Sequence, residues 1–185
     1  MLPSAARTQE SSTKFDGRWW MTLNSEQRSA FLAGESDCYA YDVRGHRYPR
    51  DLGAAEHERV TSYYRTHPSQ LDHGVLPIFR IVFRRDPHSA DHGGENFPEN
   101  HGVFDGEYWW QLGDKGRPYF IRGYLACQAN YNRLRVTRPV AFYVQGLDRW
   151  YGYDRGMKDT GRNDKIAAVL MRNVRSDIRL DAHQP

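Results

Sequence analysis

Two cysteines in 185 residues are too few for a disulfide-stapled scaffold. A chain of this length does not need one, because it can bury about two thirds of its unfolded surface in one domain or in two small halves sharing a core. No apolar run approaches the roughly 18 residues of a membrane-crossing helix, so no membrane span is expected. An excess of one charge is missing too. Lys and Arg total 26 against 23 Asp and Glu, interspersed along the chain, with a net charge of +3 and a pI near 8.9. No single-sign face for phosphate or lipid follows from that balance, and no nucleic acid is expected as a partner. The start, Met1-Leu2-Pro3-Ser4-Ala5-Ala6, lacks the basic and apolar regions of a signal peptide, as would a chain trimmed of its leader. Residues 1–14 are small, polar and aperiodic and read as a disordered arm.

What is present is a repetition. Phe15-Asp16-Gly17-Arg18-Trp19-Trp20-Met21-Thr22-Leu23 returns 89 residues later as Phe104-Asp105-Gly106-Glu107-Tyr108-Trp109-Trp110-Gln111-Leu112. At the same offset Arg28, Phe31, Gly34, Cys38 and Ala40 recur as Arg117, Phe120, Gly123, Cys127 and Ala129. These ungapped identities, several in rare Trp, Phe and Cys, indicate an internal duplication. Residues common to both copies answer first to the fold, so Trp20, Leu23, Phe31, Trp109, Leu112 and Phe120 are expected in the core. Unshared residues are the ones free to carry a function.

Each copy reads as helical. Asn24 with Gln27 three residues on resembles a capping box, and Phe31, Gly34, Glu35 and Cys38 then share one face. The copy carries Phe120, Gly123, Tyr124, Cys127 and Tyr131. Proline is best tolerated in a first turn, so Pro118 predicts that this second helix begins near Asp114 or later. Helices at about 54–66, with Val60, Tyr63 and Tyr64, and at about 139–151, with Val140, Tyr143, Val144, Leu147, Trp150 and Tyr151, form the next pair. Val75, Ile78, Phe79, Val82 and Phe83 match Ile166, Val169, Leu170 and Val174 as the third. Period-two alternation is confined to short stretches near Tyr39–Val43 and Arg133–Val136, so little or no β-structure is expected. The fold class is therefore all-α: two tandem three-helix repeats, residues 15–85 and 104–178, each opened by an aromatic-rich segment and packed as one pseudo-two-fold domain. A polar linker, 86–103, joins them, and 179–185 form a tail.

The linker holds His88, His92 and His101 with Asp86, Asp91, Glu95 and Glu99, a ligand set that a divalent metal could use. Pro87 and Gly93-Gly94 discourage the helix that would bring His88 and His92 onto one face. A solvated linker is the better reading, and neither a metal nor a cofactor is expected.

Cys38 and Cys127 occupy equivalent positions. They meet, as a disulfide, if the pseudo-two-fold axis passes between their helices. Otherwise each is a buried thiol in its own half, the reading that the sequence favours. No His recurs near either copy, which argues against a nucleophilic cysteine. Asp16 and Asp105, with Arg28 and Arg117, are the charged residues kept in both copies, and they point to a structural ion pair or a turn fastened by the guanidinium. Trp19, Tyr39, Tyr108, Trp110 and Tyr124 differ between copies or adjoin shared positions; they are candidates for contact with a partner or ligand, or else they fill the gap between the halves.

The order Phe-Asp-Gly, Trp, Leu, Arg, then Phe-(x)2-Gly-(x)3-Cys in both halves resembles uncharacterised exported all-helical bacterial proteins with a duplicated W…R…GF…GY…C motif. Phe120-Ile121-Arg122-Gly123-Tyr124-Leu125-Ala126-Cys127 carries the closer match, and the first copy departs from it with Glu35. The likeness spans most of 15–175. The Gly-Tyr helix is more distantly similar to periplasmic type VI secretion immunity proteins, which neutralise a toxin by binding it. The resemblance implies export, to the periplasm or beyond, and brings no catalytic residues. The expected function is a non-enzymatic binding or inhibitory module for a protein partner. The rivals are a sugar-binding or aromatic-binding protein with its site between the repeats, and an enzyme using His57, Glu58, His67 and Asp148. A deep cleft with convergent polar groups would favour the rivals; an exposed aromatic patch would favour the module.

Overall fold

The computed structural model describes residues 15–43, 54–83, 104–131, 134–136, 138–152, 166–174 and 178–180. The arm at 1–14 and the linker at 86–103, with its three histidines, lie outside them. Eight α-helices account for most of the described chain: α1 (Gly17–Thr22), α2 (Ser25–Cys38), α3 (Ala54–Thr66), α4 (Val75–Phe83), α5 (Gly106–Gln111), α6 (Gly113–Tyr131), α7 (Val140–Trp150) and α8 (Ile166–Val174). The fold is all-helical apart from one short antiparallel pair, β1 (Leu134–Val136) with β2 (Ile178–Leu180), in which Leu134 faces Leu180 in register. Tyr39–Val43 continues α2 as a π-helical turn instead of the alternating strand that its sequence suggests.

Two boundaries differ from expectation. The aromatic opening segments are themselves helices, so four described helices precede residues 86–103 and four follow them. Six residues are too few to display a period, but each of these short helices has a side-chain cap: Asp16 Oδ1 accepts from the Trp19 amide at 3.0 Å, and Asp105 Oδ1 from the Tyr108 amide at 3.1 Å. The second difference concerns α6, which begins at Gly113 and leaves Pro118 inside the helix beyond its first turn. The bond lost there is the one to the carbonyl of Asp114, an exposed residue whose backbone water can satisfy. The capping box at Asn24 is present, with Asn24 and Gln27 each binding the other's amide through the side chain.

The opening segment of each unit is stitched to the start of its last helix. The Val75 amide donates to the Phe15 carbonyl at 2.7 Å, and the Ile166 amide to the Phe104 carbonyl at 2.9 Å. Above these bonds lie two aromatic trios. Phe15, Trp19 and Phe31 have ring centroids 4.9 to 5.5 Å apart; Phe104, Tyr108 and Phe120, each 89 residues on, lie 4.5 to 5.9 Å apart. One core gathers Trp20, Leu23, Phe31 and Leu32 with α3 and α4. The other gathers Trp109, Leu112, Phe120 and Ile121 with α7 and α8, and also takes Ala30, Ala33 and Cys38 from α2 and Tyr39 from the turn that follows it. All six expected core residues are buried.

Helices α2 and α6 run against each other at backbone distance. A methyl group on Gly34 would overlap the Phe120 carbonyl, and one on Gly123 would overlap the Phe31 carbonyl, so each glycine lies under the aromatic residue of the opposite helix. No side chain fits at either point. One turn further along, Cys38 is disulfide-bonded to Cys127 with Cα atoms 6.2 Å apart. The sequence favours two separate thiols; the close crossing brings them together instead.

Replacing Gly34 or Gly123 by Ala should therefore cost about 3 kcal/mol or more, since backbone has to move. The double replacement should cost less than the sum, because both methyl groups force open one crossing. Urea unfolding of the oxidised protein measures this; single losses below about 1 kcal/mol would show that the helices are further apart. Replacing both cysteines by Ala should remove about 4 kcal/mol in the same experiment, as expected for a bond closing a loop of this length.

Candidate functional site

The charged residues kept in both copies anchor the tryptophans. Arg28 Nε donates to the Trp20 carbonyl at 3.2 Å and Arg117 Nε to the Trp109 carbonyl at 3.1 Å. Each guanidinium also lies over the ring of the same tryptophan, 5.6 and 5.5 Å from its centroid. The indole N–H then reaches the unit's second long helix: Trp20 Nε1 donates to Thr61 Oγ1 at 3.0 Å, and Trp109 Nε1 to Asp148 Oδ1 at 2.9 Å. Asp16 and Asp105 thus cap helices, while Arg28 and Arg117 close the ends of those same short helices. Of the two expected arrangements, an Asp–Arg ion pair or a turn fastened by the guanidinium, these contacts correspond to the second.

The two copies differ where charge enters. Thr61 is buried and neutral, whereas Asp148 in the corresponding place also lies 3.3 Å from Arg117 Nη1, and Asp114 lies 3.2 Å from the same nitrogen. The second unit therefore carries a carboxylate–guanidinium–indole network that reaches the surface. Trp110, the residue after Trp109 on α5, is 51% exposed, and Trp150 is 37% exposed on α7, two residues past Asp148. The Trp109–Asp148 bond holds together the backbone segments that bear these two indoles.

The five aromatic candidates separate. Tyr39 and Tyr124 are buried, Tyr39 edge-on to Tyr131 at 4.8 Å and Tyr124 accepting from Gln128 Nε2 at 3.3 Å, so neither can meet a partner at the surface. Trp19 and Tyr108 are half-buried in the two aromatic trios, and Trp19 also stacks on Tyr119 of the other unit at 6.4 Å. Trp110 is left as the open one. Trp150 was visible in the sequence only as part of an amphipathic series, and its exposure follows from its place at the end of α7.

The acid and base candidates do not converge. His57 Nε2 bonds Ser25 Oγ at 2.9 Å, Glu58 pairs with Arg65 at 2.9 Å, His67 stacks on Tyr63 at 4.2 Å, and Asp148 belongs to the tryptophan network. His57 is only 4% exposed, and its Nδ1 has no partner among the described residues. Burial, reinforced by the nearby Arg28 guanidinium, lowers the His57 pKa below its ordinary 6.5, against weaker upward pulls from Glu58 and Glu56. The hydroxyl of Ser25 thus faces an imidazole whose burial favours its neutral form. No group of three or more His, Cys, Asp or Glu able to hold a metal occurs among the described residues.

The His57 environment generates a pH dependence. A pKa lower in the folded than in the unfolded chain means that the unfolded chain takes up the proton first. The stability due to neutral His57 is then fully present above pH 6.5 and declines as the pH falls below that value. Chemical unfolding at a series of pH values should show this decline in the native protein and a shallower one in His57→Gln; parallel curves would place the titration elsewhere. Neither a family model nor any curated protein or solved structure matches this chain.

Proposed function

We propose that the chain is a duplicated helical unit, its copies related by a pseudo-two-fold axis between α2 and α6, and that it serves as a non-enzymatic binding or inhibitory module for a protein partner outside the cytoplasm. The exposure of Trp110 carries this reading. An indole half open to solvent, on a short helix braced by its cap and by the Arg117–Trp109–Asp148 network, is the kind of rigid aromatic anchor that dominates protein interfaces. Its counterpart 89 residues earlier is Met21, so the feature belongs to one copy alone.

Two further observations support the reading. The buried Cys38–Cys127 bond suits an oxidising compartment, in line with the resemblance to exported proteins. The backbone contact at Gly34 and Gly123 occupies the place where a ligand cleft between the units would lie, and His57, Glu58, His67 and Asp148 are each engaged in separate structural contacts.

The test is a photo-crosslinking amino acid at position 110 in the oxidised protein, expressed in its native cell. One protein adduct is expected. Trp110→Ala should weaken binding of that protein by about 2 kcal/mol or more while changing stability by no more than about 0.5 kcal/mol. A chain that crosslinks to nothing at position 110, or a Trp110→Ala variant that binds as tightly as the native protein, would overturn the proposal.

A further inference from the structure

The second unit neutralises its buried arginine and the first does not. Arg117 Nη1 meets two carboxylates, Asp114 at 3.2 Å and Asp148 at 3.3 Å. Arg28, its counterpart 89 residues earlier, has a hydroxyl in both places: Ser25 stands where Asp114 does, and Thr61 takes the indole N–H that Asp148 takes in the second unit. Arg28 is 8% exposed, and no carboxylate lies within ion-pair distance of it among the described residues. Glu58 is the acid whose charge acts on it, and Glu58 is itself bonded to Arg65 at 2.9 Å. Burial accordingly lowers the Arg28 pKa in spite of Glu58. A charge taken out of water without a counter-ion is costly, and an anion that reaches it relieves the cost.

The guanidinium can be reached. Its Nε is used on the Trp20 carbonyl, and its terminal nitrogens are not among the buried atoms left without a partner, so they meet solvent. In the second unit the Asp114 side chain is 84% exposed and still touches Arg117 Nη1, so that side of the guanidinium is approached from outside. Ser25 is exposed, and its shorter side chain turns to His57 Nε2 at 2.9 Å, so residue 25 does not fill the place of the Asp114 carboxylate. That place adjoins the first turn of α2, a 14-residue helix whose amino end favours negative charge.

We propose that the protein partner inserts an Asp or Glu side chain here, its carboxylate on the Arg28 fork in the place that Asp114 fills in the second unit. One charge-assisted contact on an open surface holds a free acid only weakly, whereas within a larger interface it selects a partner with an acid at that point. The inference rests on the protein-partner reading, but the first arm of its test needs no partner, so the two can fail separately.

Acetate is the probe, titrated into the full oxidised chain against chloride at constant ionic strength and followed by proton–nitrogen correlation spectra. The Arg28 Nε–H and Ser25 amide signals should shift together and saturate with a Kd of about 10–50 mM. Ser25→Asp, at an exposed position, supplies the carboxylate from within the chain and should abolish that response, while Ser25→Ala should keep it. Against the partner captured at position 110, Ser25→Asp should weaken binding at least about tenfold and Ser25→Ala no more than about twofold. No saturable shift by about 200 mM acetate, an unchanged acetate response in Ser25→Asp, or full partner affinity in Ser25→Asp would overturn the proposal.

Discussion

The contact between α2 and α6 is the constraint on which the rest of the structure depends. Two helices that meet backbone to backbone leave no room for side chains at the crossing, and Gly34 and Gly123 meet that requirement reciprocally. The crossing aligns Cys38 with Cys127, and their bond then fixes the end of α2 against α6. Because α2 is enclosed on nearly every side, its segment from Ala30 to Cys38 is buried throughout, including Glu35, Ser36 and Asp37. A helix in that position is central in its fold and is not a surface element with one apolar stripe.

From that centre the same construction is seen twice. A capped six-residue helix presents a tryptophan, an arginine on the next helix binds the tryptophan carbonyl and covers its ring, and the indole N–H reaches the helix beyond. Aromatic contact and hydrogen bonding act on one side chain, so neither Trp20 nor Trp109 buries an unsatisfied N–H. The asymmetry between Thr61 and Asp148 matters for function. In the first unit a buried hydroxyl passes the network on to the His57 backbone carbonyl, whereas a partly exposed carboxylate carries it to the surface in the second.

Much of this architecture was legible in the sequence, for identifiable reasons. Helices α3, α4, α7 and α8 each bury one face, so their apolar residues repeat at the helical spacing and their limits fall close to those expected. The fixed offset marked Trp20, Phe31, Trp109 and Phe120 as core. It left Tyr39 and Tyr124 open between a contact surface and the gap between the halves, and they are buried with residues of both α2 and α6. The capped helices α1 and α5 are too short for periodicity to register. The disulfide was open in the sequence because only the position of the crossing decides whether Cys38 and Cys127 meet or stay apart.

The central claim is that α2 and α6 cross closely enough to join their cysteines. Peptide mapping of the protein, digested without reduction after blocking any free thiol, tests it most directly. The account predicts a single crosslinked pair of peptides containing Cys38 and Cys127, with no blocked thiol at either residue. Recovery of both cysteines in separate blocked peptides from protein purified under oxidising conditions would contradict it.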